Sequence, residues 1–380
     1  MKKILFFTPS CRLTGSEIAL YNLISNIDRN SFKPVGVISL LEGSLLSKFD
    51  REIFTISYEK HYQGILPLIE LLKVKVLKQR KYQHFFIKLH NKLKPDIWYI
   101  NTIVQPEVLY AAQLLNIPCI VHSHELEQML TSLTSDYVQL LVSYPKLIIS
   151  CSNVAKTMLT TLGRRQNIEV CHPSLNTSLI DQYIDINLKT KYRATYALPK
   201  DAFIWLMSGI NDVNKNPIRF IELAKEIITL YPNTYFLWIG ADLESAIHIY
   251  LIQYCKQLGI LEKIRWVSNL DQEKYYKYFA SVDAFILTSN RESFSLVLLE
   301  AMYLGKPVIS LNCGGTKEII TNNTGIIIDS WNNDDIIKEM IKVMNKEFSY
   351  SEIAANNQAK IFSIDHQSNL WNNILIDYFG

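Results

Sequence analysis

The chain has 380 residues, more than one ordinary domain and a comfortable length for two of roughly 170–190 each. Hydrophobic residues make up 48% and charged residues 20%, enough to bury two cores, which argues against large-scale disorder; a net charge of +3 argues against a dedicated nucleic-acid binder. The six cysteines, Cys11, Cys119, Cys151, Cys171, Cys255 and Cys313, include no C-x-x-C pair and read as reduced, buried thiols of a cytosolic protein.

Met1-Lys2-Lys3 and the apolar run after it mimic the start of a signal peptide, but the run stops at Thr8-Pro9, too short for an h-region. A strand over 4–8 is the better reading, followed by an amphipathic helix over 17–26 and a strand over 35–40. Residues 71–95 hold eight Lys or Arg and no Asp or Glu, more than the excess of +3 carried by the whole chain. Lys73, Lys75, Lys78, Arg80, Lys81, Lys88, Lys92 and Lys94 alternate with Leu72, Val76, Phe86, Leu89 and Leu93. This pattern suits a helix lying on anionic lipid, and equally a solvated basic helix. Short apolar, β-branched runs at 97–100, 119–122 and 147–150 follow, with Asp96 at the entry of the first and Asn101-Thr102 at its exit.

Regularity is lost from 171 to 199, then restarts: strands at 203–208, 235–239, 264–267, 284–287, 307–311 and 326–328, with helices at 218–231, 246–258, 272–281 and 295–304. Two βαβ series separated by an irregular stretch predict two doubly wound, Rossmann-like α/β domains facing each other across a cleft, where ligands bind beyond the carboxyl ends of the strands. The expected boundaries are 1–172 for the first domain, 173–199 for the connection, 200–360 for the second domain and 361–380 for a last helix able to cross back to the first. No run approaches the ~18 apolar residues of a membrane span. The expected location is the cytoplasm, with the 71–95 segment offering peripheral attachment to the inner face of a membrane. No G-x-G-x-x-G follows the first strand, which weakens a nicotinamide or flavin reading.

The chemistry concentrates in Thr288-Ser-Asn-Arg-Glu-Ser-Phe-Ser-Leu-Val-Leu-Leu-Glu-Ala-Met302. Glu292 and Glu300 stand eight apart across a strand-to-helix turn. Glu300, among Leu298, Leu299, Ala301 and Met302, must find hydrogen-bond donors or lose its charge, and sugar hydroxyls are suitable donors. The helix start after Ser293 turns free amides and the positive end of its dipole toward whatever precedes it, which suits a phosphate. Eight helical residues span at most ~12 Å. That is about the reach from a donor sugar, across a diphosphate, to a ribose. The plain alternative is a surface Glu292 and a Glu300 paired to a core cation. Downstream, Gly305-Lys306-Pro307 stops the helix, and Gly314-Gly315-Thr316 offers paired glycines that suit a phosphate nest.

The series E-x7-E, A-M-x-x-G-x-P-V-I, G-G-x-x-E-I over 284–329 resembles the retaining glycosyltransferase family 4, which has the GT-B fold. The resemblance implies that Glu300 binds ribose hydroxyls, that Glu292 lies near the donor sugar, and that Ser293, Phe294, Ser295, Leu296, Gly314, Gly315 and Thr316 line the diphosphate and sugar. Gly209 and Lys215 match the family's loop after the first strand of the second domain, where an Arg-Lys pair grips the diphosphate and a Gly follows. Asn214 and Asn216 stand at the expected Arg and Gly, which halves the cationic clamp; Arg291 is the candidate replacement. Asn269, after a strand, resembles a residue lining the nucleotide base. In the first domain Thr14-Gly15-Ser16-Glu17 resembles the glycine loop facing acceptor and phosphate. Asn101, His122, His124 and Glu125 resemble a bacterial subgroup that builds surface polysaccharides, which implies Ser16, Asn101, His122 and Glu125 on the acceptor side and His124 near the transferred sugar.

The implied activity is retaining, metal-independent transfer of a sugar from a UDP- or GDP-sugar to a saccharide or lipid-linked saccharide. The acceptor hydroxyl attacks on the face from which the diphosphate departs, with Lys215, Glu292 and His124 as the catalytic set. The nucleotide sugar is a substrate, no cofactor is expected, and no Asp-x-Asp in a metal-binding context implies Mg²⁺. Two alternatives keep the same fold: a catalytically weak partner subunit, and a nucleotide-sugar epimerase.

Overall fold

The apolar run at the amino end is a central strand, β1 (Lys2–Thr8), in which Ile4, Leu5, Phe6 and Phe7 have no exposed surface. The computed structural model describes residues 1–12, 14–49, 51–57, 83–185 and 187–380. They divide into two units, Met1–Ser174 with Ile364–Gly380, and Leu175–Ser363.

In the first unit, β1, β2 (Phe32–Ser39), β3 (Phe54–Ser57), β4 (Ile97–Asn101), β5 (Cys119–Ser123), β6 (Leu147–Ser150) and β7 (Ile168–Val170) form a sheet in the order β3-β2-β1-β4-β5-β6-β7. Every pairing is parallel. Such a sheet must be covered on both faces, and alternation along each strand supplies two cores. Leu5, Phe7, Trp98 and Ile100 pack with α2 (Gln83–Leu93), α3 (Pro106–Leu114), α4 (Ser135–Ser143) and α5 (Asn153–Thr161). Ile4, Phe6, Ile97 and Tyr99 pack with α1 (Gly15–Ser25) and with Trp371, Ile374, Leu375 and Phe379 of the last helix.

The second unit repeats the plan with six strands, β8 (Phe203–Ser208), β9 (Thr234–Ile239), β10 (Ile264–Val267), β11 (Ala284–Leu287), β12 (Val308–Leu311) and β13 (Ile326–Ile328), in the order β10-β9-β8-β11-β12-β13. Its helices are α6 (Thr177–Ile180), α7 (Asn187–Thr195), α8 (Pro217–Leu230), α9 (Ala246–Gln257), α10 (Gln272–Ser281), α11 (Leu296–Tyr303), α12 (Asn333–Met344) and α13 (Glu352–Lys360). The chain then re-enters the first unit as α14 (Ile364–Phe379). Leu175 and Ser363 form a parallel bridge, and the Leu175 amide donates to the Phe362 carbonyl at 2.7 Å.

Two segments differ from the reading of the sequence. The stretch read as an irregular connection belongs to the second unit from Leu175 on, and α7 within it is packed through Tyr192 and Arg193. Arg193 donates to the carbonyls of Ser281, Lys200 and Ala202 and to Asp283. A helix whose buried residues are Tyr and Arg carries little apolar period, hence the apparent irregularity. Of the basic segment, 71–82 lies outside the described residues. In its described part Phe86 and Leu89 belong to the core rather than to a lipid-facing surface, and the Lys92 ammonium lies 4.4 Å over the Phe54 ring. Among the described residues no helix is long and apolar enough to cross a membrane, and all six cysteines are buried without disulfides.

Candidate functional site

The site residues of the second unit lie where β8, β11 and β12 end. After β8 the chain passes Gly209, with φ +147°, and runs to Asn216, whose left-handed backbone (φ 53°) and side chain cap α8, accepting from the Arg219 amide at 3.1 Å. Pro217 at the first helical turn, its φ already set, sharpens that start. Lys215 is fixed at both ends. Its amide donates to Asp212 Oδ1 at 2.9 Å, and its stem crosses Gly209, where an added Cβ would sit 3.0 Å from the lysine Cε. The Lys215 Nζ donates to Glu292 Oε1 at 2.6 Å.

Glu292 is buried, and its backbone is paired with the glycine segment. Its amide donates to the Cys313 carbonyl, and the Gly315 amide donates to the Glu292 carbonyl, each at 2.8 Å. A Cβ on Gly315 would lie 2.1 Å from the Ser293 carbonyl oxygen. Gly315 therefore serves the close approach of two loops. This departs from the expected phosphate nest: the Gly315 amide is already used, and Thr316 is buried with its hydroxyl on the Leu311 carbonyl at 3.2 Å. Gly314, with φ +129°, is partly exposed. Burial, aided by the Glu292 charge, pushes the Cys313 thiol up to about 12.

Asn214 and Asn216 act as ties. Asn214 Nδ2 donates to the Arg291 carbonyl at 3.0 Å, and Asn216 Nδ2 to Asn290 Oδ1 at 3.0 Å. Asn290 returns its amide to the Asn214 carbonyl and its Nδ2 to the Val213 carbonyl, both at 2.7 Å. Thr288 adds a bond to the Lys215 carbonyl at 2.9 Å. The lysine loop and the Glu292 loop are thus laced together through polar side chains. Arg291 is exposed at the surface of this lacing.

Helix α11 opens at Ser295, whose hydroxyl makes no cap and is buried without a partner. Its first-turn amides have no intrahelical acceptors. Ser293 and Leu296 are partly exposed there, whereas Phe294 is buried against Phe362, ring centroids 5.3 Å apart. Five residues after Ser295, Glu300 meets no cation among the described residues. Oε2 accepts from the Tyr275 hydroxyl at 2.7 Å and Oε1 from the Tyr276 hydroxyl at 2.8 Å. Burial raises its carboxyl to about 7 against the opposing pull of both hydroxyls. Asn269 stands exposed after β10, on the same unit.

In the first unit the candidates gather at the ends of β4 and β5 and at the start of α1. Asn101 is fully buried. Its Nδ2 donates to the Ser16 carbonyl at 3.2 Å, and its Oδ1 pairs with His124 Nε2 at 2.9 Å. Asn101 therefore holds His124 rather than an acceptor. His122 is likewise a core residue: its Nδ1 pairs with the Tyr99 hydroxyl at 2.7 Å, which accepts from the Trp371 indole at 3.2 Å. The two imidazole rings lie 4.1 Å apart, and burial draws both toward the neutral form, His124 to about 3. Glu125 accepts the amides of His124 at 2.9 Å and Ile103 at 3.2 Å, bracing Thr102, a β-branched residue at φ 99°. Burial raises the Glu125 carboxyl to about 7. Ser16 and Thr14 give their hydroxyls to the buried carboxylate of Glu17, and Gly15 leaves open space beside the helix start. His124 and Glu125 retain part of their surface; Asn101 and His122 do not.

Sequence reasoning missed Tyr275, Tyr276, Asn290 and Asp212. Only the Asn-rich composition of 211–216 and 290 carried a signal, that of side chains competing for backbone groups. Among the described residues no group of three or more His, Cys, Asp or Glu could hold a metal ion.

Residues 189–360 match the model of the family described as glycosyl transferases group 1. The chain is 31% identical to the Vi polysaccharide biosynthesis protein VipC/TviE of Salmonella typhi over 161 residues, 40% of this chain and 27% of that protein. It is also 31% identical to the uncharacterized glycosyltransferase MJ1607 of Methanocaldococcus jannaschii over 195 residues, 50% of this chain and 48% of that one. The chain thus spans about half or less of the length of these curated relatives. Among solved structures, Anabaena Alr3699/HepE in complex with UDP-glucose superposes with a TM-score of 0.80 at 18% identity, covering 99% of this chain and 100% of that one. WaaG, a glycosyltransferase involved in lipopolysaccharide biosynthesis, gives 0.73 at 13% identity over 99% and 100%. The likeness takes in both units, and the fold is GT-B.

Proposed function

We propose that the protein is a retaining, metal-independent glycosyltransferase that moves a sugar from a UDP- or GDP-sugar to a saccharide or lipid-linked saccharide, in surface-polysaccharide or glycoconjugate synthesis. The observation that carries the reading is the Lys215–Glu292 pair, 2.6 Å apart on two laced loops, placed in sequence just ahead of the open helix start at Ser295. A departing diphosphate needs positive charge and backbone amides, and the fixed lysine and the first turn of α11 are the features that support this reading. In this reading Lys215 meets the developing charge, Glu292 orients the lysine and contacts the donor sugar, and Glu300 receives the ribose hydroxyls. The acceptor hydroxyl attacks on the face the diphosphate leaves, and a phosphate oxygen takes its proton. His124, neutral and anchored by Asn101, contacts the transferred sugar as a hydrogen-bonding group rather than as an acid. The family match over 189–360 and the UDP-glucose bound by the structurally similar HepE support a nucleotide-sugar donor.

A second reading draws on one observation. Asn214 and Asn216 spend their side chains on lacing, and Lys215 is neutralised by Glu292, so the described loop holds less net positive charge than a two-cation clamp. That would suit a nucleotide-sugar-binding partner subunit with little turnover of its own. A melting-temperature screen of UDP- and GDP-sugars, followed by a donor-consumption assay on any that bind, tests both. Selective stabilisation with sugar release supports transfer. Stabilisation without release from any donor points to the binding subunit, and no stabilisation at millimolar concentrations refutes both.

A further inference from the structure

Two consecutive residues of one helix reach the same carboxylate. Tyr275 and Tyr276 leave α10 in different directions and converge on Glu300 of α11, each donating to a different oxygen, at 2.7 and 2.8 Å. Neither ring is loose. Tyr275 packs on Phe279 with centroids 4.8 Å apart, Tyr276 is buried beside Tyr183 at 5.7 Å, and the two tyrosine rings meet edge-on at 5.2 Å. Ser208, the residue before Gly209, donates to the Tyr275 hydroxyl at 3.4 Å, extending the chain of bonds to the root of the lysine loop.

An ionised carboxylate offers about four lone-pair positions. The tyrosines take one on each oxygen, leaving one on each for a ligand. A group that only accepts, with one open position on each of two oxygens, matches two neighbouring hydroxyl donors. We infer that Tyr275 and Tyr276 are positioning residues that fix Glu300 for a vicinal diol and so make the site select ribose over deoxyribose. The inference rests on the proposed role of Glu300 as the ribose contact.

The test compares affinities for UDP and 2′-deoxy-UDP, with GDP and 2′-deoxy-GDP in parallel, in the unmodified protein and in Tyr275→Phe, Tyr276→Phe, the double variant and Glu300→Gln. Phenylalanine keeps the ring packing and removes only the hydroxyl. The ribo-to-deoxyribo ratio is taken within each variant, so a loss of folded fraction cancels. The unmodified protein is expected to prefer the ribonucleotide by roughly tenfold or more, as for a hydrogen bond to a charged group. Each Tyr→Phe change should cut that ratio by about threefold, and the double variant should bring it close to that of Glu300→Gln. An unchanged ratio in the Tyr→Phe variants, with a collapsed ratio in Glu300→Gln, would overturn the inference and leave the reading of Glu300 standing. An unchanged ratio in Glu300→Gln, or no binding of either nucleotide pair by the unmodified protein, would overturn both.

Discussion

Replacing Lys215 with alanine is expected to damage stability and turnover by separable amounts. The Glu292 side chain is 8% exposed and that of Lys215 22%, so the pair is largely withdrawn from water. Removing one partner of a fully buried pair costs about 3–5 kcal/mol, because the remaining charge loses its compensation. Here the lysine end touches solvent, and water entering the vacated space recovers part of that, leaving about 2 kcal/mol. For a unit of this size that corresponds to a melting shift of roughly 4–8 °C. Converting Glu292 to glutamine in the same chain removes the orphaned charge, so Lys215→Ala/Glu292→Gln should melt closer to the unmodified protein than Lys215→Ala does. A coupling of about 1–2 kcal/mol is expected for groups in direct contact. Turnover should not recover with it. If Lys215 meets the charge growing on the diphosphate, its loss lowers kcat/KM by about 10²–10³-fold in a donor-consumption assay, in the single and double variants alike. Melting of the single variant within about 1 °C of the unmodified protein would refute the stability argument. Unmodified turnover by Lys215→Ala would refute the catalytic one.

Asn290→Ala removes both side-chain ties to the lysine loop and is expected to cost about 1–3 kcal/mol by urea titration and to raise the donor KM; unchanged values of both would mean that the lacing positions nothing. The folded value of Glu300 lies above its ordinary 4.5, at about 7, so ionising it opposes folding: its contribution is full below about pH 4.5 and is lost as pH rises through about 7. Glu300→Gln should therefore flatten the decline in melting temperature between pH 5 and 8, and a slope identical to that of the unmodified protein would refute this. Trp371→Ala opens a large cavity beneath β4 and unseats Tyr99 and His122; a loss of about 3–5 kcal/mol is expected, measured by denaturant unfolding. A loss below about 1 kcal/mol would show that α14 is a peripheral addition.

The strands were the most legible part of the chain, because a strand buried on both faces is a short unbroken apolar word such as Ile4–Phe7 or Ile97–Ile100, and little else looks like it. Helices α3, α4 and α5 went unread, since each buries only three or four side chains and spends the rest on water. At the site, the spacing of Glu292 and Glu300 and the position of Lys215 were visible because they are local in sequence. The hydroxyls that hold Glu300 arrive from 24 and 25 residues away, and no period links them to it. The paired glycines are visible in the sequence, but their contacts are not. Glycine marks close approach, and the structure shows the Ser293 carbonyl approaching Gly315. His122 shows the same ambiguity: at a strand end next to His124 it looks functional, yet its neighbours Tyr99 and Trp371 place it in the core.

One feature of the architecture bears on how the protein is made. The first unit is assembled from two separated stretches, with the whole second unit between them, and its sheet lacks the cover of Trp371, Ile374, Leu375 and Phe379 until α14 has been translated. The second unit is a single uninterrupted stretch, Leu175–Ser363, whose contacts need no later part of the chain. The half that emerges first therefore cannot close its core until α14 arrives, and an uncovered apolar face of β1 and β4 is the kind of surface that chaperones hold.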